Sequence, residues 1–229
     1  MAFWVNDIVF KREVRICIDQ NMSSTALSAL GDVDTLSLEE IITDKVADAA
    51  LSVVRNAPLR MLSDLAKPLT EELKISSFRP HKGTMNLPTD FERIVRFKMK
   101  SWHYPVFETL PPFTYLYSQA NSGFNVFGTK DRPVLFIVPS TDEGSNLRLE
   151  IYCAGHKNDE LDECLYVAKP QMHRYNDGGG IEWDILLGDE LKRPTIYYTA
   201  YLVALAIKDD NAAEKLLAIA KDLLGINNG

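Results

Sequence analysis

A thiol beside an imidazole makes a nucleophile–base pair. Cys164 with His156 or His173 supplies the residue types for one. Nothing in their spacing joins them. The four histidines, His81, His103, His156 and His173, fall near loop signals without HxH or HExxH order. Cys17, Cys153 and Cys164 lack CxxC spacing, so they read as reduced thiols acting as small hydrophobes rather than as zinc ligands. Paired carboxylates suit acid–base work or a divalent cation. They occur at Asp159-Glu160, Asp162-Glu163, Glu182/Asp184 and Asp189-Glu190. The first four lie in the polar stretch 156–163 and read more simply as a hydrated acidic rim. Gly178-Gly179-Gly180 lacks the Lys-Ser/Thr of a P-loop and the GxGxxG order of a dinucleotide site, so it reads as a turn or hinge. The expectation is therefore no catalytic residue, no cofactor and no metal.

Two other constellations suit binding. In Asp90–Lys100, alternation puts Val95, Phe97 and Met99 on one strand face and Arg96, Lys98 and Lys100 on the other. Arg93 has the opposite parity and is expected beside Glu92 where the strand begins. The cationic face can meet DNA phosphates, an acidic neighbouring subunit or only water. The second constellation is an aromatic stretch that carries Tyr104, Phe107, Phe113, Tyr115, Tyr117, Phe124 and Phe127 among loop signals. Aromatics in such a place either cover a sheet core or anchor an interface.

The elements that must hold these residues change period along the chain. Residues 8–20 read as a helix, with a short second one at 23–30, although the β-branched run Val14-Arg15-Ile16-Cys17-Ile18 also suits a strand. Ser37-Leu38-Glu39-Glu40 is a capping box. Leu38, Ile41, Ile42, Val46, Ala49, Ala50, Val53 and Val54 follow at helical spacing, and Pro58 ends or kinks that helix. From 73 to 187 the pattern turns to strands. Leu147–Cys153 alternates as a half-buried strand should. Val134–Val138 is a continuous apolar run that suits a central strand covered on both faces. Glu163–Ala168 reads as a further strand. Pro194–Leu224 then reads as an apolar helix hairpin, broken near Lys208–Asn211 and stopped by Gly225. Each half is only about four turns, marginal in water without packing, so the first helices are expected to pack on it. The fold class is α+β: a helical bundle from residues 1–72 and 190–229, with an antiparallel β barrel or sandwich inserted at 73–189.

The length of 229 residues fits one large domain or two small ones, and 46% apolar residues suffice for a core. A net charge of −7 argues against clamping nucleic acid by bulk electrostatics. The opening Met1–Asp7 lacks the basic and apolar regions of a secretory leader, so none is expected. No apolar run approaches the length of about 18 residues needed to span a membrane.

A family resemblance rests on three stretches. One is Asp34-Thr35-Leu36-Ser37-Leu38-Glu39-Glu40-Ile41-Ile42, followed by Asp48-Ala49-Ala50 and Asn56-Ala57-Pro58. Another is Gly83 … Leu87-Pro88-Thr89-Asp90-Phe91-Glu92-Arg93-Ile94-Val95-Arg96-Phe97, leading to Ser101-Trp102. The third is Pro194–Ala204. In order and character these resemble the head–tail connector (adaptor) proteins of tailed bacteriophages, similar to the podovirus tail tubular protein A group. The resemblance implies a structural protein without an active site. It would form a homo-oligomeric ring, usually twelvefold, at the head–tail junction of the virion after assembly in the host cytoplasm. Its partners would be the portal protein above and tail or further ring proteins below. DNA would pass through the channel without specific binding, and no membrane would be involved. Arg96, Lys98, Lys100, Phe107, Phe113, Tyr115, Tyr117, Phe124 and Phe127 are the candidate subunit-interface residues. The alternatives are a tail-completion or other virion structural protein, or an enzyme built on Cys164, His156 and the nearby carboxylates.

Overall fold

The computed structural model describes residues 1–21, 37–75, 82–121, 132–140, 146–152, 159–176 and 181–226. The expected short helix at 23–30 lies outside them. The chain divides into two compact units. One takes Met1–Leu65 and Lys169–Gly229, and the other takes Ala66–Ala168. The divisions fall at 65/66 and 168/169, where the sequence pattern puts them at 72/73 and 189/190. The helix-rich unit thus owns a sheet of its own.

That terminal unit starts with β1 (Ala2–Asn6) and α1 (Asp7–Asn21), continues through α2 (Leu38–Asn56), the single turn α3 (Leu59–Leu62) and a 3₁₀ turn at Ser63–Leu65, and resumes after the insertion. The capping box forms as expected: the Glu40 amide donates to Ser37 Oγ and the Glu40 carboxylate accepts from the Ser37 amide at 2.7 Å. Pro58 breaks the run, and Ala57 is extended. Further on come β9 (Met172–Asn176) and β10 (Ile181–Gly188), which form sheet A with β1 in the order β1-β10-β9, all antiparallel. Helix α5 (Asp189–Ala206) follows without a loop, five residues before Pro194. The acidic pair Asp189-Glu190 is its first turn, favourably placed at the positive end of the helix dipole. Thr195 and Thr199 are buried and satisfy their hydroxyls on the carbonyls one turn back, at 2.7 Å each. Asp209 caps α6 (Asp210–Leu223) through the Ala212 amide at 3.0 Å. Gly225, at φ +69°, turns the chain out of the helix. The core joins Phe10, Val14 and Ile18 of α1, Ile42 and Val46 of α2, Trp183, Ile185 and Leu187 of β10, and the facing sides of α5 and α6.

The insertion unit has two antiparallel sheets. Sheet B orders β2 (Ala66–Pro68), β8 (Leu161–Ala168) and β5 (Phe91–Met99) as β2-β8-β5. Sheet C orders β3 (Lys74–Ile75), β4 (Lys82–Asn86), β7 (Leu147–Tyr152) and β6 (Val134–Pro139) as β3-β4-β7-β6. Among the described residues neither sheet closes into a barrel. Phe97, Met99 and Cys164 of sheet B share one apolar cluster with Met85, Leu135, Leu149 and Ile151 of sheet C.

Two strand expectations need correction. Among the described residues the run 134–138 is covered on both faces but is the last strand of sheet C, where the backbone at Leu110 meets it through a 2.8 Å bond to Leu135. An apolar run reports covered faces; it does not report lateral position. The alternating strand β7 is buried on both faces, not half-buried. The short helix α4 (Tyr115–Asn121) lies over its polar side.

Candidate functional site

The cationic face of β5 is met by an acidic face on β8. Arg96 Nε lies 2.9 Å from Glu163, Lys98 Nζ lies 2.7 Å from Asp162, and Lys100 pairs with Glu160. The register explains the match. Lys98 stands opposite Glu163, and the next pair is Met99 with Leu161, so Asp162 is the extra residue of a β-bulge. A bulge re-aims the side chain it carries, and here Asp162 reaches the outer, cationic face. The expected hydrated rim at 156–163 is therefore, at Glu160, Asp162 and Glu163, a row of counter-ions. A second bulge at Val95 overturns the parity of Arg93: it stands opposite Val167, two residues from the partner of Arg96, and so shares that register face. Lys98 and Lys100 hold Asp162 below the usual carboxylate range, by hydrogen bond and by charge.

The aromatic stretch divides between both of its expected uses. Tyr117 is spent inside the unit. Its ring packs edge-on against Phe136 at 5.1 Å, and its hydroxyl donates to Glu150 Oε2 at 3.2 Å. Leu110 and Leu116 join it over β6 and β7, and Val106 bonds to Phe97 on β5. The others turn outward: Phe113 is 77% exposed, Tyr115 75%, Tyr104 70% and Phe107 46%. Phe113 also has φ +62°, a left-handed conformation that costs a non-glycine residue about 1–3 kcal/mol. Phe124 and Phe127 lie outside the described residues.

Beneath α4 is a cluster that alternation alone hides. Glu150 is 1% exposed. Its carboxylate accepts from Lys82 Nζ at 2.9 Å, Arg148 at 3.1 Å, Tyr152 at 3.1 Å and Tyr117 at 3.2 Å. Burial alone would raise its pKa; Lys82, Tyr152 and Arg148 outweigh that and hold it below the usual carboxylate range. The signal for it is faint in sequence: Arg148 and Tyr152 flank Glu150 on the same strand face, but Lys82 and Tyr117 lie 68 and 33 residues away.

The nucleophile candidate fares differently. The Cys164 thiol lies inside the insertion core, and burial, helped by the Glu163 charge, pushes it up to about 12. At neutral pH it is a thiol, not a thiolate. Cys17 is also buried, and burial raises it too. His81, His156, Cys153 and Gly178–Gly180 lie outside the described residues. His173 stacks on Trp4 with ring centroids 4.1 Å apart. Among the described residues no three His, Cys, Asp or Glu gather as metal ligands, and no helix is long and apolar enough to cross a membrane.

What this geometry offers is a set of internally satisfied charges beside outward aromatics, an arrangement suited to holding a shape and touching a partner. Neither a protein-family model nor a curated protein sequence matches the chain.

Proposed function

We propose that this protein is a structural connector of a tailed-phage virion. Copies form a ring below the portal, extend the DNA channel and offer a surface to tail components. In this reading the terminal segments make a helical bundle and the insertion is a β-sandwich. The shared apolar cluster of sheets B and C supports the second part. The observation that carries the function is the outward aromatic set Tyr104, Phe107, Phe113 and Tyr115, held on a unit whose own core is complete without it. Exposed aromatics within one short stretch of chain are of the residue types that anchor protein interfaces. Phe113 is presented at a cost in backbone strain, which points to a use beyond folding. The carboxylates already neutralise Arg96, Lys98 and Lys100, so in this reading the ladder stiffens sheet B and the aromatics make the subunit or tail contact. The ring assembles in the host cytoplasm and ends at the head–tail junction.

Negative-stain electron microscopy of the purified protein over a concentration series tests the reading, and rings with an open centre are expected. Single particles the size of one chain at every concentration, with portal protein present as a template, would sink it.

A further inference from the structure

Among the described residues, two faces of the terminal unit stay uncovered, one acidic and one bearing the cations of α1. The first is the outward side of sheet A. Register places Trp4 opposite Leu186, and Asn6, Asp184 and His173 in one row across the three strands. Trp4 lies stacked on His173 at 41% exposure. Tyr175, 38% exposed, donates its hydroxyl to Asp184 Oδ1 at 3.3 Å and accepts from Asn6 at 3.2 Å. Asp184 and Glu182 have no cationic partner among the described residues. The face is therefore aromatic and acidic, with Asn6, Tyr175 and Asp184 held by hydrogen bonds and Trp4 packed on His173.

The second face is the solvent stripe of α1. Beside the exposed Asp19, Ile8, Arg12, Arg15 and Ile16 share it at helical spacing. Ile8 is 64% exposed and Ile16 44%. With Lys11 and Glu39 they line a groove of ≈ 490 Å³. Arg15 reaches Glu39 at 3.1 Å, while Arg12 has no acidic partner among the described residues. The opposite side of α1 packs on the inward face of sheet A, where Phe10 meets Trp183 edge-on at 5.6 Å. The two uncovered faces therefore lie on opposite sides of one layer.

We infer that these faces are the two halves of one head-to-tail contact, in which the α1 stripe of one copy docks on the outward side of sheet A of the next. The occupant is a second copy because this chain itself carries both the acidic-aromatic face and the cationic-apolar one. Arg12 supplies a guanidinium for Trp4 and for the carboxylates of Asp184 and Glu182, and Ile8 and Ile16 bury apolar surface against Leu186. Two different patches on opposite sides make a heterologous contact, which builds a ring when the rotation between successive copies closes. The inference rests on the ring reading above and names the surfaces that would build it.

Sedimentation velocity tests it on four samples: the wild type, Arg12→Glu, Glu182→Lys, and an equimolar mixture of the two variants. Each variant alone presents like charges and is expected to need about tenfold more protein to assemble. The mixture restores opposite charges at every contact and is expected to assemble like the wild type. Thermal midpoints near wild type show that the variants fold. Arg12→Glu assembling like wild type would overturn this interface and leave the ring intact. So would a mixture that stays as dissociated as its parts. A wild type that stays monomeric throughout, also with portal protein added as a template, would overturn both the interface and the ring.

Discussion

Two groups of ion pairs sit on the insertion unit, built from the same residue types in different surroundings. The ladder on sheet B joins Arg96, Lys98 and Lys100 to Glu163, Asp162 and Glu160 across exposed strand faces. The Glu150 cluster joins Lys82, Arg148 and two tyrosine hydroxyls beneath α4. Water solvates the ladder whether or not its pairs form, so each pair contributes little. Glu150 has lost its water, and its partners replace it. Removing one of them strands a charge in a poor solvent. Burial, more than the number of bridges, decides what an ion pair is worth. It also decides which pair fixes structure: the cluster ties α4 to sheet C, and the segment that ends in α4 carries the outward aromatics Phe107 and Phe113.

The sharpest way to break this comparison is Glu150→Ala. It leaves Lys82 and Arg148 without their carboxylate in a covered site, and a loss of about 3–5 kcal/mol is expected in denaturant unfolding. A loss below about 1 kcal/mol would put the cluster on a par with the ladder.

Acid should act on the same site. The folded pKa of Glu150 is held below its ordinary value. Its contribution is therefore present above the ordinary carboxylate range, near pH ~4.3, and is lost as pH falls through the lower folded value. Unfolding midpoints measured from pH 6 to pH 2 should drop through that window in the wild type. Glu150→Gln should flatten that part of the drop.

A smaller effect is expected from Tyr117→Phe, which removes one hydrogen bond to Glu150 and keeps the ring on Phe136. The expected cost is about 0.5–1.5 kcal/mol, with amide exchange faster in α4 than in β5. Smallest of all is the ladder. A double-mutant cycle on Lys98 and Asp162 should give a coupling of about 0.2–1 kcal/mol, reduced further in 1 M salt.

How much of this could be read in advance follows the range of each interaction. The capping box at Ser37 and Glu40, the helix after it, the stop at Gly225 and the alternation in 95–100 are contacts between residues a few positions apart, and sequence displays those directly. The Arg96, Lys98 and Lys100 face was legible for the same reason. Its counter-ions were not, because a single extra residue at Asp162 changes the strand face it serves. Glu150 looked like a solvent-facing member of an alternating strand until α4 covered it. Cys164 looked like a candidate nucleophile until its strand turned it into the core.

The sequence by itself determined where the long helices and the strands β5, β6, β7 and β8 lie, and that Arg96, Lys98 and Lys100 share a face, because backbone period and local hydrogen bonds act over one or two turns. Only the tertiary structure decided which unit owns sheet A, which aromatics face outward, which cations are neutralised and which carboxylate is buried. Each of those depends on residues far apart in the chain meeting through sheet register and helix packing, and a shift of one residue in register reverses the answer.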